Sequence, residues 1–331
     1  MFDGRDRHNP WLLETGERGA RARARAEAGA EAEAWADADA EAGGAFISRG
    51  GPCEAMPFEA ALVQARPALG DVKANAARVL EALRRERAEL VVFPELFLSG
   101  YAVRDGFGAL AMDLDAPILR ELAEACRAGG KTLVVGAPTK GKARGIVHNS
   151  LLLLTPDARV RKYDKVYLPT FSVFEEDHFF KEGASLPVFD VTLGGERARV
   201  GLTICYDLFF PEVTKALMLQ GADVLINASA SPTPSRGNFE TVLPARAVET
   251  TCHVLYTNLT GAQDAALFWG GAQAWSPRGQ LLGRAPYDEE AVLRVTLDLA
   301  DVAEARRRRP VARDTRPEVL RMLLDASRDG A

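Results

Sequence analysis

The chain has 331 residues, of which 47% are hydrophobic and 26% charged, with a formal net charge of −5. That balance describes a soluble globular protein with enough chain for one large or two ordinary domains, and it gives no reason to expect nucleic acid as a partner. No run approaches the ~18 apolar residues that a membrane span requires, so no membrane partner is expected either.

The opening stretch, "MFDGRDRHNPWLLETGERG", carries charge but no apolar run of the secretory kind. Four widely spaced cysteines, Cys53, Cys126, Cys205 and Cys252, show neither CxxC nor metal-ligand clustering. Few, scattered thiols fit a reducing cytoplasm better than a disulfide framework. From Ala20 to Ala42 every even-numbered residue is alanine. A period of two matches a strand, but alanine and charge cannot build its buried face. Residues 1–56 therefore read as a low-complexity, disordered or loosely helical extension. Met56, directly before the first strand pattern, is an alternative start of translation.

From there the pattern changes. "FEAALVQA" reads as a strand, and "DVKANAARVLEALRRE" as a helix with Ala76, Val79, Leu80 and Leu83 on one face and Asp71 as N-cap. "AELVVFPE" is a second strand. A further helix has Leu119, Leu122, Ala123 and Cys126 in register, and "GGKTLVVGAP" supplies a glycine stop and a third strand. "HNSLLLLTPDARVRKYDK" reads as a hairpin closed at Pro156–Asp157. "RARVGLTIC" is a strand, Pro211 opens the helix "PEVTKALMLQ", and "ADVLIN" follows as a strand. The remainder, to "AVLRVTLDL", mixes helix and strand. Strands alternating with amphipathic helices predict a layered α/β domain over residues 57–299. Residues 300–331 form a charged tail. Its basic run "RRRRP" reads as solvated surface, and its final "PEVLRMLLDAS" as an amphipathic helix able to pack on a partner subunit.

Three polar residues stand where α/β sheets gather active groups, just beyond the carboxyl ends of strands. Glu95 ends "LVVFPE", Cys205 ends "VGLTIC", and Lys165 sits between two tyrosines in "RKYDKVYLPTF" after the hairpin. Singly, each has an ordinary explanation: a core thiol, a loop carboxylate, a lysine lying along aromatic surface. A Cys–His pair would need an imidazole, but His8, His148, His178 and His253 stand in no recognisable pairing motif, and no two Cys or His residues show zinc-ligand spacing.

Together, "VVFPELFLSGY", "RKYDKVYLPTFSVFEEDHFFKEG" and "GLTICYDLFFPEVTKALMLQGADVLINASAS" resemble the three signature segments of the nitrilase (carbon–nitrogen hydrolase) superfamily, in order and at similar intervals. The resemblance covers residues 57–299. It implies a four-layer αββα sandwich in a homodimer or higher homo-oligomer. It also implies a catalytic set of Glu95, Lys165 and Cys205 with a second glutamate, either Glu175 or Glu176, of which Glu176 fits the pattern better. In the implied chemistry Lys165 stabilises the thiolate, Glu95 carries protons, and Lys165 and the Tyr206 N–H hold the oxyanion. The substrates are a small-molecule amide and water, and neither metal nor organic cofactor is required.

Cys205-Tyr206-Asp207 resembles the amidase-like "CYD" form rather than the "CWE" of nitrilases, which points to a primary amide rather than a nitrile. N-carbamoyl amides, nitriles and glutamine remain alternatives, as does a catalytically silent binding protein of the same fold. Many relatives read "CYDxRFPE"; here Phe209 replaces that arginine, which speaks against dicarboxylate-type substrates. Phe209, Phe171 and Trp269 are candidates for an apolar pocket, with core packing the equal alternative. "FKEG" and "TNLTGAQDAALFWGG" resemble the glutaminase domains of glutamine-dependent NAD synthetases, but no phosphate loop of a synthetase domain is present in this sequence.

Overall fold

The structure, a computed structural model, describes residues 56–172 and 174–329. The alternating-alanine segment lies outside the described residues. Strand β1 (Phe58–Gln64) shows how the layers arise. Ala60 and Leu62 join Leu90 and Val92 of β2 (Leu90–Val92) in one apolar cluster, whereas Ala61, Val63 and Val91 join another. Successive side chains leave a strand on opposite faces, so one apolar strand serves two cores.

The second of these clusters is roofed by helices. Helix α1 (Val72–Arg85) is capped by Asp71, whose carboxylate accepts from Ala74 N at 3.0 Å, and it buries Ala76, Val79 and Leu83. Helix α2 (Pro117–Gly129) begins on proline, buries Leu119, Leu122, Ala123 and Cys126, and stops at Gly130, whose φ of 62° suits a residue without Cβ. Both lie over a six-stranded sheet in the order β14-β1-β2-β3-β4-β5, with β3 Thr132–Lys140, β4 Val147–Leu154, β5 Val160–Asp164 and β14 Ala291–Leu297. β1, β2 and β3 run parallel. β4 and β5 form the expected hairpin, with Leu154 opposite Val160.

The second six-stranded sheet has the order β13-β12-β9-β8-β7-β6. Its strands are β6 (Val188–Leu193), β7 (Glu196–Ile204), β8 (Val224–Ser229), β9 (His253–Asn258), β12 (Gln273–Trp275) and β13 (Leu281–Arg284). β7, β8 and β9 are parallel. Helices α3 (Pro211–Leu219) and α4 (Arg236–Thr250) cover it with Val213, Leu217, Leu243 and Ala247. Val200, Leu202 and Ile204 of β7 share a cluster with Leu62, Leu90 and Leu151 of the first sheet. The result is helix, sheet, sheet, helix: the four-layer αββα sandwich that the resemblance implied. A hairpin of β10 (Thr260–Gln263) and β11 (Ala266–Trp269) stands apart from both sheets.

The packed part continues past residue 299. Helix α5 (Leu299–Arg308) buries Val302 and Ala305. Arg306 donates to Asp223 Oδ1 at 2.9 Å and to Ala222 O at 2.5 Å, and Arg309 donates to Val248 O at 3.1 Å. The basic run read as solvated surface is thus partly a set of ties to sheet and helix, because guanidinium groups near an exposed end can cap carbonyls that the fold leaves free. The amphipathic helix read at the end forms as α6 (Pro317–Asp329), with Val319, Met322, Leu323 and Leu324 exposed. Among the described residues no helix is long and apolar enough to cross a membrane.

Candidate active site

Each sheet delivers part of one polar cluster. Glu95 follows β2, and the chain turns away at Leu96, which has a φ of 50°. Cys205 follows β7 with a φ of 45°, a left-handed conformation uncommon for a residue bearing a Cβ. Both strands therefore stop abruptly, each presenting a functional group at its carboxyl end. Lys165 follows β5, and its own backbone is fixed by Lys165 N donating to Asn149 O at 2.9 Å and Gly183 N donating to Lys165 O at 2.7 Å.

The Lys165 ammonium donates to Glu95 Oε1 and to Glu176 Oε1, at 2.8 Å each, and Lys165 and Glu95 are both 0% exposed. Glu95 also accepts from Asn149 Nδ2 at 2.7 Å and, through Oε2, from Ala230 N at 2.6 Å. Ala230 follows β8, so this last bond joins the two sheets. Tyr101 Oη donates to Glu176 at 2.8 Å. Glu176 is buried on Lys165, while its neighbour Glu175 is exposed; of the two candidates, the structure brings only Glu176 to the lysine.

The electrostatics follow from burial. Desolvation opposes charge on Lys165, but Glu176 and Glu95 outweigh it and hold its pKa above the ordinary lysine value. Burial, with Glu95 adding to it and Lys165 opposing, pushes Glu176 up to about 7. Cys205, 5% exposed, is pushed well above the usual thiol value by burial first and by Glu95 next, with Lys165 pulling the other way. The lost hydration and then the carboxylates favour the thiol over the thiolate in the resting state. Tyr101 is raised by burial and by the two glutamates, so it stays a donor.

The turn that begins at Cys205, residues 205–209, is held from below. Asp207 Oδ2 accepts from Ile204 N at 3.0 Å and from Tyr163 Oη at 2.7 Å, and Oδ1 accepts from Tyr167 N at 2.9 Å. One carboxylate thus ties the end of the cysteine's strand to both tyrosines flanking Lys165. Arg246 donates to Leu208 O at 2.9 Å and to Phe209 O at 3.3 Å, so the "RAVET" segment supports this turn. Asn227 Nδ2 donates to Cys205 O at 3.4 Å, and Ser229 Oγ donates to Asn227 Oδ1 at 2.8 Å.

A cavity of about 250 Å³ reaches Glu176 and Tyr101, with Phe107, Phe174, Phe179 and Phe268 in its wall beside the charged Arg104, Glu175 and Asp264. The aromatic residues singled out in the sequence take no part in that wall. Phe171 is 50% exposed and meets Tyr206 at 5.2 Å between ring centroids. Phe209 packs edge-on against Phe239, 4.9 Å away. Trp269 is fully buried and stacks on Tyr256 at 5.4 Å. Asn149 and Asp207 were not anticipated as site residues. Their signal was a polar residue within, or just after, an otherwise apolar strand. Among the described residues no group of three or more His, Cys, Asp or Glu side chains could hold a metal ion.

Comparison with known proteins places this geometry. Residues 59–307 match the carbon–nitrogen hydrolase family, and the chain belongs to it. It is 32% identical over 260 residues to a glutamine-dependent NAD(+) synthetase of Aquifex aeolicus, covering 75% of this chain but only 43% of that protein. It is 33% identical over 259 residues to an (R)-stereoselective amidase of Pseudomonas sp., covering 77% of this chain and 90% of the amidase. Among solved structures, the amidase of Nesterenkonia sp. AN1 carrying the acetamide moiety of fluoroacetamide on its active-site cysteine aligns with a TM-score of 0.69 at 27% identity, over 84% of this chain and 98% of that one. The chain spans less than half of the synthetase and nearly all of the two amidases. It is a carbon–nitrogen hydrolase of the nitrilase superfamily.

Proposed function

We propose that the chain hydrolyses a primary amide to a carboxylic acid and ammonia through a thioester on Cys205. The observation that carries this reading is the buried Lys165 ammonium shared by Glu95 and Glu176, whose charges act directly on the Cys205 sulfur. Glu95 takes the proton from the thiol as sulfur attacks the amide carbonyl carbon. The carbonyl π electrons move to oxygen. That oxyanion is met by the Tyr206 N–H and by the third N–H of Lys165, since an ammonium has three donors and each carboxylate engages one. Glu95 returns the proton to nitrogen, the C–N bond breaks, and ammonia leaves. Water then gives a proton to Glu95 and adds to the thioester; the C–S bond breaks, and the sulfur recovers its proton from Glu95. Glu176, Asn149 and Tyr101 position Lys165 and Glu95.

Two relatives named as amidases, matched over most of their length, support an amide; relatives named as nitrilases are matched as fully, so the preference over a nitrile rests on the Cys205-Tyr206-Asp207 form. Synthetase activity does not come with the glutaminase-like resemblance, because only part of that protein is matched. Cytoplasmic localisation and a homodimer remain part of the proposal on the grounds given by sequence. The test is ammonia release from a panel of primary amides, N-carbamoyl amino acids, glutamine and nitriles. Amides turn over, and Cys205→Ala abolishes release while leaving the circular dichroism spectrum unchanged. Ammonia release that persists in Cys205→Ala would end the reading.

A further inference from the structure

We infer that Gln263 is a recognition residue whose side-chain N–H2 donates to an acceptor oxygen on the far arm of the substrate. The inference rests on the amide-hydrolysis reading and names the class of amide. Gln263 ends β10 and lines the cavity that reaches Glu176. Its orientation is fixed chemically, because Oε1 accepts from Tyr101 N at 2.8 Å and from Ala102 N at 3.2 Å. Only a carbonyl oxygen can face two N–H donors, so the other half of the carboxamide is the N–H2 group. That Nε2 is buried and has no hydrogen-bond partner, in a side chain only 5% exposed.

Buried amide donors are nearly always paired, and an unpaired one on a residue that lines a cavity is open to a partner from a bound molecule. Phe107, Phe174, Phe179 and Phe268 have no side-chain acceptor, the Asp264 carboxylate is drawn to Arg104, and Glu176 is engaged by Lys165 and Tyr101; Ser172 and Glu175 also line the cavity, and neither bonds to Gln263 Nε2. The complementary substrate is therefore an amide whose arm lies along the phenylalanines and carries a neutral ketone or amide oxygen at the distance of Gln263. The bonds from Tyr101 and Ala102 also mean that the hairpin bearing Gln263 steadies the loop of the tyrosine that donates to Glu176. Recognition and catalysis meet at that loop.

The substitution Gln263→Glu separates the two halves of the side chain. It keeps an oxygen for Tyr101 N and Ala102 N and removes the free donor. The probes are 4-oxopentanamide, 5-oxohexanamide and 6-oxoheptanamide, each paired with pentanamide, hexanamide or heptanamide of equal chain length. In the wild-type enzyme kcat/KM favours at least one oxo amide over its partner by about tenfold or more, the span of one buried neutral hydrogen bond. In Gln263→Glu, and in Gln263→Met should the first variant not fold, that ratio falls to about one or below. A wild-type enzyme without preference at any length, or a preference that survives both substitutions, overturns the inference. Failure of the hydrolase reading shows itself differently, as no ammonia from any of the six amides. The same ratios are then read as Kd by calorimetry on Cys205→Ala with and without Gln263→Glu, and again decide the role of Gln263.

Discussion

Gly136 lies so close to Glu95 that a methyl group on its Cα would fall 2.6 Å from the Glu95 carbonyl carbon and 2.2 Å from Leu96 N. The strand that neighbours β2 therefore leaves room for the turn presenting the carboxylate, and Gly136 N donates to Pro94 O at 3.1 Å across that gap. The obstacle is backbone, which cannot swing aside as a side chain would. Gly136→Ala is expected to cost about 1–3 kcal/mol of stability through overpacking and to lower kcat by displacing Glu95. Gly237, near the start of α4 with open space around its Cα, is the control. Its change to alanine leaves stability unchanged or raises it by up to about 1 kcal/mol. Urea unfolding and ammonia release on both variants check the contrast.

On the proposed mechanism Glu176 makes the rate depend on pH. Its carboxyl, held up to about 7 by burial, takes a proton as the pH falls through that value. Glu95 then faces the whole Lys165 charge, which opposes its taking the thiol proton. The wild-type kcat/KM is expected to fall on the acid side of about pH 7. Glu176→Gln fixes the neutral state, so its profile is flat between pH 6 and 8 and lies about 10- to 100-fold below the wild-type plateau. A variant retaining the limb would assign that titration to another group.

Asp207 gives a stability slope whose sign can be worked out. Burial raises its folded pKa from 3.8 to about 6, against the pull of Lys165 and of the three donors on its oxygens. The folded state thus holds the proton more tightly than the unfolded state. This contribution to stability is complete below about pH 4 and is lost as the pH rises to 6, by up to about 3 kcal/mol. In Asp207→Asn that slope disappears. Urea midpoints at pH 4, 5, 6 and 7 for both proteins give the comparison directly.

Removing Lys165 strands two buried carboxylates. Lys165→Met is expected to destabilise the fold by about 3–5 kcal/mol at neutral pH, with part of the loss recovered at pH 5 as a carboxyl takes up a proton. Alkylation of Cys205 by iodoacetamide, measured by peptide mass, slows in the same variant, because the charge that pulls the thiol pKa down is gone. Cys126 and Cys252, pushed up to about 12 and about 11 by burial, stay unlabelled in both proteins until denaturation.

The sequence made the catalytic candidates legible where an apolar strand runs into a costly polar residue. Glu95 and Cys205 end β2 and β7 in that way, and Asp71 and Gly130 mark helix ends by ordinary capping chemistry. It was less informative where residue type leaves orientation open. Phe268 and Trp269 are neighbours on β11, yet Phe268 walls the cavity and Trp269 stacks on Tyr256. Successive strand residues face opposite ways, and the choice of face is made by the pairing of Gly261 with Phe268, a tertiary fact. The state of the thiol was open for a related reason. The Lys165 charge is plain in sequence, whereas the depth at which Cys205 is buried is not.

The bond from Ala230 N to Glu95, reaching from one sheet to the other, means that the proposed proton acceptor and the sulfur are assembled only when both halves of the sandwich have closed. A nascent or partly opened chain carries the same cysteine without its base. On the proposed mechanism hydrolysis is thereby tied to completed folding, whereas the thiol of an immature copy keeps only its ordinary reactivity.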